Sequence, residues 1–368
     1  MTALQLLAGL AFLTAGGEAL VRGASRLARL FGISPLVIGL TVVAFGTSTP
    51  ELVVSLYASH RGNPDIAVAN VVGSNIFNVL FILGLCAIIR ALVVAPQILR
   101  QDVPLLIALS LTLWVMALDG KIELLEGLLL LALFTAYLIF VIRQSRRESR
   151  AVQEEYDEAY GSDGKQDTVT RSRWPLQLGW VILGLALLML GARWLVEAAI
   201  TIARSAGLSE AVIGLTIVAA GTSLPEVSAS VIATLRGERD IAVGNVIGSN
   251  LFNIFVIIGV SALLPAGGLV VHPGMVRFDL PVMVATAAAC LPLFFTGRVI
   301  ARWEGVLFLG LYAAYTAYLI LDSQEHDALP AYSRTMLLFV LPLIAVTIVA
   351  SSVRALHAER RGSTSRRA

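Results

Sequence analysis

The chain contains one motif twice: residues 38–51 read IGLTVVAFGTSTPE and residues 213–226 read IGLTIVAAGTSLPE, identical at 11 of 14 positions. A second pair follows, in which residues 65–78 read DIAVANVVGSNIFN and residues 240–253 read DIAVGNVIGSNLFN, again identical at 11 of 14 positions. Both pairs are offset by 175 residues. The chain is therefore built from two copies of one unit.

The sequence around these motifs is strongly apolar. Of its 368 residues, 57% are hydrophobic and 14% are charged, whereas a soluble domain carries about 25% charged residues. This composition disfavours a soluble enzyme, a nucleic-acid-binding protein and a disordered scaffold. Cys86 and Cys290, the only cysteines, both lie in apolar runs and give neither a zinc signature nor a disulfide framework.

The apolar runs predict transmembrane helices, because a bilayer core of about 30 Å needs roughly 20 apolar residues per helix. Eleven such runs lie near residues 3–21, 33–58, 66–89, 102–118, 123–142, 175–192, 209–235, 241–264, 276–296, 303–321 and 335–353. Each motif copy belongs to a unit of five helices. Since five is odd, the second unit enters the membrane from the opposite side, an arrangement typical of secondary transporters.

The predicted fold is therefore an all-α integral membrane protein with two inverted-topology five-helix repeats, a ten-helix core and an eleventh C-terminal transmembrane helix. The predicted segments are a first repeat, a cytoplasmic hydrophilic linker, a second inverted repeat, an extra transmembrane helix and a basic cytoplasmic tail, at 1–145, 146–173, 174–322, 335–353 and 354–368. Placing the linker in the cytoplasm puts 21 of the 27 Lys and Arg residues on that side. The positive-inside rule then predicts a plasma (inner) membrane protein with its N-terminus outside and its C-terminus in the cytoplasm.

The first motif places carboxylates inside the predicted membrane spans, where ionisable residues mark functional sites. Glu51 lies four residues after Thr47 and three after Ser48, so the three side chains share one helical face. Pro50 removes the hydrogen bond that its nitrogen would make to the carbonyl of Gly46. The second copy repeats the pattern with Thr222, Ser223, Pro225 and Glu226.

The second motif adds amide and hydroxyl oxygens. Ser74 and Asn78 form an i,i+4 pair on one helical face, and Ser249 and Asn253 form the equivalent pair. If the two copies meet, they supply two carboxylates, two amide oxygens and at least four hydroxyls around one centre. Hard cations such as Ca²⁺ bind oxygen ligands of these kinds, and Na⁺ accepts them too. Asn70, Asn75, Asn245 and Asn250 fit both a lining of the ion pathway and interhelical hydrogen bonds.

The paired GTS-x-PE and GSN-x-FN motifs, in two five-helix halves, resemble the calcium/cation antiporter family, which includes the sodium/calcium exchangers. The resemblance covers residues 3–321 and implies that Glu51 and Glu226 are the central Ca²⁺ ligands. It further implies flanking Na⁺ and Ca²⁺ ligands at Thr47, Ser48, Ser74, Thr222, Ser223 and Ser249, and outer-site carbonyls at Ala44 and Ala219. Some family members have an aspartate where this chain has the neutral Asn78 or Asn253.

The function predicted from these features is secondary-active exchange of Ca²⁺ for Na⁺ by alternating access at a site near the membrane midplane. Because desolvated like-charged carboxylates also bind protons readily, a Ca²⁺/H⁺ or K⁺-linked exchanger is the alternative, followed by a passive cation channel. An intramembrane enzyme ranks last, since the motifs lack a nucleophile–base pair and His or Cys ligands. We expect no cofactor, no nucleic-acid partner and no identifiable protein partner, with transported ions and membrane lipid as the only binding partners.

Overall fold

The computed structural model describes residues 2–160, 174–205, 219–265, 267–295 and 298–342, and these are mostly helical. The main helices that it describes in the two repeats are α1 (Thr2–Phe31), the bent α2 (Pro35–Thr47 and Thr49–His60), α3 (Pro64–Ile89), α4 (Ile98–Asp119), α5 (Leu124–Tyr160), α6 (Trp174–Ser205), α7 (Leu224–Arg236), α8 (Arg239–Ser261), α9 (Met275–Phe295) and α10 (Arg302–Ser323). Within the described residues, eight of these are individually long and apolar enough to cross a membrane, and the bent α2 makes a ninth candidate. The chain is an integral membrane protein.

The helices differ from the sequence expectation mainly at their ends. α5 continues to Tyr160, because residues 143–160 are rich in Arg, Gln, Glu and Ala and contain no Gly or Pro. The first part of the predicted linker is therefore helical, and residues 161–173 lie outside the described residues. A further helical segment begins at Leu329, and most of the predicted eleventh span at 335–353 also lies outside the described residues.

α1 and α6 pack against each other along a seam of glycines. A Cβ atom added at Gly16 would lie 2.8 Å from the carbonyl oxygen of Gly184, and one at Gly9 would lie 3.0 Å from that of Gly191. Small residues allow helix backbones to approach this closely in a membrane. We call these four residues the glycine seam.

Two short antiparallel sheets join the connections between helices. β1 (Leu92–Val93), between α3 and α4, pairs with β4 (Val299–Ile300), between α9 and α10. β2 (Lys121–Ile122), between α4 and α5, pairs with β3 (Leu269–Val270), between α8 and α9. Each sheet thus joins a connection of one half to the non-equivalent connection of the other half.

The core is centred on α3 and α8, the two helices that carry the GSN-x-FN motifs. In the most apolar 18-residue stretch of each helix, 94% of the residues of α8 and 72% of those of α3 are buried. Both helices are held by α2 and α7, which carry the glutamates. The two repeated motifs therefore meet in the middle of the protein.

Candidate functional site

The GTS-x-PE motifs break their helices at a serine. Ser48 has φ −82° and ψ 6°, and Ser223 has φ −88° and ψ 7°, so neither continues a regular helix. A new helical segment begins at the next residue, with Pro50 or Pro225 in its first turn, where a missing N–H does no harm. The break places each glutamate in the first turn of a helix, where the exposed N–H groups favour negative charge.

The two glutamates are each hydrogen-bonded by the serine of the other repeat. The Ser48 hydroxyl donates to Oε1 of Glu226 at 2.8 Å, and the Ser223 hydroxyl donates to Oε1 of Glu51 at 2.9 Å. Both carboxylates are buried. The second oxygen of each, Oε2, has no hydrogen-bond partner among the described residues. The site is therefore shared between the halves, and each carboxylate has one oxygen left for a ligand.

Four asparagines form a second reciprocal network between α3 and α8. The side chain of Asn75 donates to the carbonyl of Asn250 at 3.3 Å, and that of Asn250 donates to the carbonyl of Asn75 at 3.2 Å. Asn78 donates to Oδ1 of Asn250 at 2.9 Å, and Asn253 donates to Oδ1 of Asn75 at 3.0 Å. Within the described part of the chain, these bonds leave Oδ1 of both Asn78 and Asn253 buried without a partner. The amides predicted as ligands thus keep their acceptor oxygens free.

Both helices change geometry at these amides. A π-helical turn begins at Asn78 and runs to Leu83, and an equivalent turn runs from Asn253 to Ile258. Such turns occur frequently at functional sites. Sequence reasoning did not find them, because the apolar residues that follow the amides carry no signal for a π-turn.

The remaining candidate residues occupy the same region. The hydroxyl oxygen of Ser74 lies 3.4 Å from that of Ser223, whereas the buried hydroxyls of Ser249 and Thr222 have no partner in the described ranges. Thr47 donates to Oδ1 of Asn245 at 3.2 Å and lies 3.4 Å from the carbonyl oxygen of Ala44. The Ala44 carbonyl also accepts the N–H of Ser48 at 3.0 Å, and Ala219 begins the short helix Ala219–Gly221.

The site is rich in oxygen and contains no charge-compensating base among the described ion pairs. Those pairs lie elsewhere and join Glu18 to Arg22 and Arg236, Lys121 to Glu123, and Arg193 to Glu197. Within the site, the buried oxygens without partners among the described residues come from two carboxylates, two amides and two hydroxyls, at Glu51, Glu226, Asn78, Asn253, Thr222 and Ser249. The described residues contain no cluster of three or more His, Cys, Asp or Glu side chains that could hold a metal. This donor set suits a hard cation held by mixed oxygen ligands.

Comparison with known proteins identifies the family. The sequence model described as "Sodium/calcium exchanger protein" matches residues 1–143 and 176–321. The chain belongs to the sodium/calcium exchanger family. The resemblance drawn from its motifs is confirmed, and the named exchangers of the family are transporters.

Three similar proteins match this family member over most of their length. It is 35% identical to the sodium/calcium exchanger MaX1 of Methanosarcina acetivorans over 344 residues, which cover 86% of this chain and 97% of MaX1. It is 38% identical to the inner membrane protein YrbG of Escherichia coli over 71% of this chain and 79% of YrbG. Among solved structures, the sodium-calcium exchanger NCX_Mj soaked with 10 mM Na⁺ and zero Ca²⁺ matches with a TM-score of 0.72 and 32% identity, over 86% of this chain and 98% of NCX_Mj.

Two aspartates outside the motifs, the buried Asp102 and the half-buried Asp279, were missed by sequence reasoning. Asp102 of α4 accepts a hydrogen bond from Tyr137 of α5 at 2.9 Å, and Asp279 of α9 accepts one from Tyr315 of α10 at 2.8 Å. The Asp-to-Tyr spacing is 35 residues in the first pair and 36 in the second, a repetition that the sequence does contain. These pairs connect neighbouring helices within each half.

Proposed function

We propose that the protein exchanges Ca²⁺ for Na⁺ across the membrane by alternating access at the site between α2, α3, α7 and α8. The observation that carries this proposal is the pair of buried glutamates, one from each half, whose Oε2 atoms have no hydrogen-bond partner among the described residues. A buried carboxylate without a compensating charge is costly. A bound cation removes that cost.

The ligands in this proposal are oxygens from both halves. Glu51 and Glu226 bind the central cation, with the amide oxygens of Asn78 and Asn253 beside them. The flanking positions are formed by the hydroxyls of Thr47, Ser48, Ser74, Thr222, Ser223 and Ser249 and by the carbonyls of Ala44 and Ala219. The unpartnered oxygens of Asn78, Asn253, Thr222 and Ser249 support this assignment, since a buried polar atom normally has a partner.

Charge balance gives a physical reason for coupled exchange. Two carboxylates neutralise one Ca²⁺ or two Na⁺, so the two ions compete for the same negative charge. Without a cation, two unit charges about 5 Å apart repel by roughly 3 kcal/mol at an effective dielectric of about 20. We expect this repulsion to slow the conformational change of the empty site, so that one ion leaves only as the other is carried back.

In transporters built from inverted repeats, alternating access arises when one half moves against the other around a central site. The pairing of β1 with β4 and of β2 with β3 supports the inversion, because each sheet joins non-equivalent connections. α1 and α6 are the proposed sliding elements, since their glycine seam offers a smooth backbone-to-backbone contact. In this proposal the N-terminus lies outside and the C-terminus lies in the cytoplasm.

Uptake of ⁴⁵Ca²⁺ into proteoliposomes under separate Na⁺, K⁺ and H⁺ gradients tests the coupling ion. We expect an outward Na⁺ gradient to drive uptake at fixed pH. Uptake driven by a pH gradient alone would favour the Ca²⁺/H⁺ exchanger, and a requirement for K⁺ would favour the K⁺-linked one. Ca²⁺ flux of equal rate without any counter-ion, or single-channel currents, would replace the exchanger with a passive channel.

A further inference from the structure

Asn70 of α3 and Asn245 of α8 occupy equivalent positions in the two halves, 175 residues apart. Each donates a hydrogen bond from Nδ2 to a serine of the preceding helix. Asn70 donates to Ser55 and Asn245 donates to Ser230, both at 3.0 Å. This bond is therefore present in both halves.

The contacts of the same asparagines with the threonine ligands are not symmetric. Oδ1 of Asn245 accepts a hydrogen bond at 3.2 Å from Thr47, which belongs to the other half. Each threonine lies beside the glutamate of the other half, Thr47 beside Glu226 and Thr222 beside Glu51. Only Thr47 bonds to an asparagine: among the residues that the structure describes, the bond from Thr222 to Asn70 is absent. Asn70 instead donates a second bond to the carbonyl of Glu51 at 3.1 Å.

The burial of the two asparagines is asymmetric as well. Asn245 is fully buried, whereas Asn70 is half-buried. Four residues earlier on each helix, Ile241 is 0% exposed and Ile66 is 46% exposed. The described surroundings of the two asparagines thus differ although the motifs are nearly identical.

We propose that Asn70 and Asn245 are positioning residues that hold the two threonine ligands alternately, one in each facing state of the transporter. The Thr47–Asn245 bond belongs to the conformation of this structure, and the Thr222–Asn70 bond belongs to the opposite-facing one. Two inverted copies exchange their conformations when the transporter changes the side to which it opens, so a contact made by one copy passes to its equivalent. The inference rests on the alternating access of the proposed function.

The hydrogen bond decides how well a threonine can bind a cation. A hydroxyl has one donor and two acceptor lone pairs. When Thr47 donates its proton to Asn245, its lone pairs are fixed and available to a cation. Thr222 has no such acceptor in the described structure, so its proton is free to turn toward the Glu51 carboxylate and occupy the negative charge that a cation needs. The alternation therefore changes which half supplies the threonine whose lone pairs are oriented toward a cation.

Cysteine accessibility measures the conformational balance without any transport. Ile66→Cys and Ile241→Cys place a thiol at equivalent positions, and the native Cys86 and Cys290 are buried. The labelling rate with a water-soluble maleimide is measured for each reporter in ion-free buffer, in otherwise identical protein. The ratio of the two rates reports which conformation predominates.

We expect Asn245→Ala to raise labelling at position 241 and lower it at 66. Thr222→Val, which removes the Thr222–Asn70 bond of the opposite-facing state and leaves the bond of Asn70 to the Glu51 carbonyl in place, should do the opposite. Each ratio should change by about two- to twelvefold, the effect of one hydrogen bond on an equilibrium. Thr47→Val removes the same bond as Asn245→Ala from its other end and should shift the ratio in the same direction. The double variant Thr47→Val/Thr222→Val should return toward the parent ratio.

Ser55→Ala and Ser230→Ala are the matched controls, because each removes the bond present in both halves and should leave the ratio unchanged. Shifts in the same direction for Thr222→Val and Asn245→Ala would overturn the proposal. An unchanged labelling ratio in both variants would also overturn the proposal. If saturating Ca²⁺ or Na⁺ still shifted the ratio in that case, alternating access would stand. A ratio that neither ions nor variants change would overturn alternating access itself.

Discussion

The hydroxyl of Ser48 lies 2.8 Å from the carboxylate of Glu226, a residue 178 positions further along the chain. The same contact is made in reverse by Ser223 and Glu51 at 2.9 Å. Each carboxylate is thus oriented by the half to which it does not belong. Movement of one half against the other must change the surroundings of both carboxylates, which ties ion binding to conformation.

Replacing either glutamate by glutamine should abolish exchange. Glu51→Gln or Glu226→Gln removes one of two negative charges facing a divalent cation, and breaking a buried charge pair costs about 3–5 kcal/mol. We expect the apparent Ca²⁺ affinity in ⁴⁵Ca²⁺ uptake to fall by more than about 100-fold. Glu304→Gln is the control, because this buried residue accepts the N–H of Ala301 at 2.7 Å outside the site. Exchange at the parent rate in either site variant would refute the assignment.

Removing either serine should have a smaller and similar effect in the two halves. Ser48→Ala and Ser223→Ala each remove one hydrogen bond to a carboxylate, and bonds to charged groups contribute about 1.5–3 kcal/mol. The apparent Ca²⁺ affinity should therefore fall by about 10- to 150-fold in both variants. Ser110→Ala removes a buried hydroxyl that has no partner among the described residues and should leave affinity unchanged. A loss in only one of the two site variants would show that the halves do not share the ion.

A carboxylate at an amide position should make transport pH-dependent. The amide of Asn253 donates a hydrogen bond to Oδ1 of Asn75 at 3.0 Å. In Asn253→Asp, the new carboxyl group can donate this bond only when it is protonated. Raising the pH removes that proton and adds a third negative charge, so we expect the KM for Ca²⁺ to fall as the pH rises, more steeply than in the parent. Asn63→Asp, at the start of α3 outside the site, is the control. Identical pH profiles for the parent and Asn253→Asp would place the amide away from the ion.

Adding one methyl group to the glycine seam should destabilise the protein. A Cβ at Gly184 would lie 2.5 Å from the backbone nitrogen of Leu20, and overpacking of this kind costs about 1–3 kcal/mol. We expect Gly184→Ala to lower the Tm of purified protein by several degrees and to slow exchange. Gly179→Ala on the same helix is the matched control, because no described neighbour lies within 4 Å of its added Cβ. Equal Tm values for the two variants would contradict close packing of α1 on α6.

Much of this architecture follows from local sequence signals. The 175-residue repeat marked Glu51 and Glu226, since a carboxylate in an apolar run is costly and here occurs in both copies. Hydropathy located α3 and α9 to within two residues at each end, because polar and turn-forming residues flank both apolar runs. The segment after residue 145 was assigned to a linker because hydropathy measures burial in lipid, while helix propensity continues to Tyr160.

The sequence did not predict which residues the site side chains bond to. The motifs place Ser48 and Glu51 on one helical face, but the bond of Ser48 runs to Glu226 in the other half. The same holds for Asn70 and Asn245, which are equivalent in the sequence and different in their contacts. Such differences arise from the relative position of two nearly identical units, and one-dimensional patterns do not encode that position.

The two small sheets have a practical consequence for measuring motion. β1 and β2 flank α4, β3 and β4 flank α9, and the sheets pair these flanks at both ends. A further bond joins the helices where Trp114 donates to the carbonyl of Val276 at 2.9 Å. Neither helix can shift along the other by one residue without breaking hydrogen bonds at both ends. α4 and α9 therefore provide a fixed reference, and a spectroscopic label at the exposed Val115 would serve as the origin from which displacements of α1 and α6 are measured.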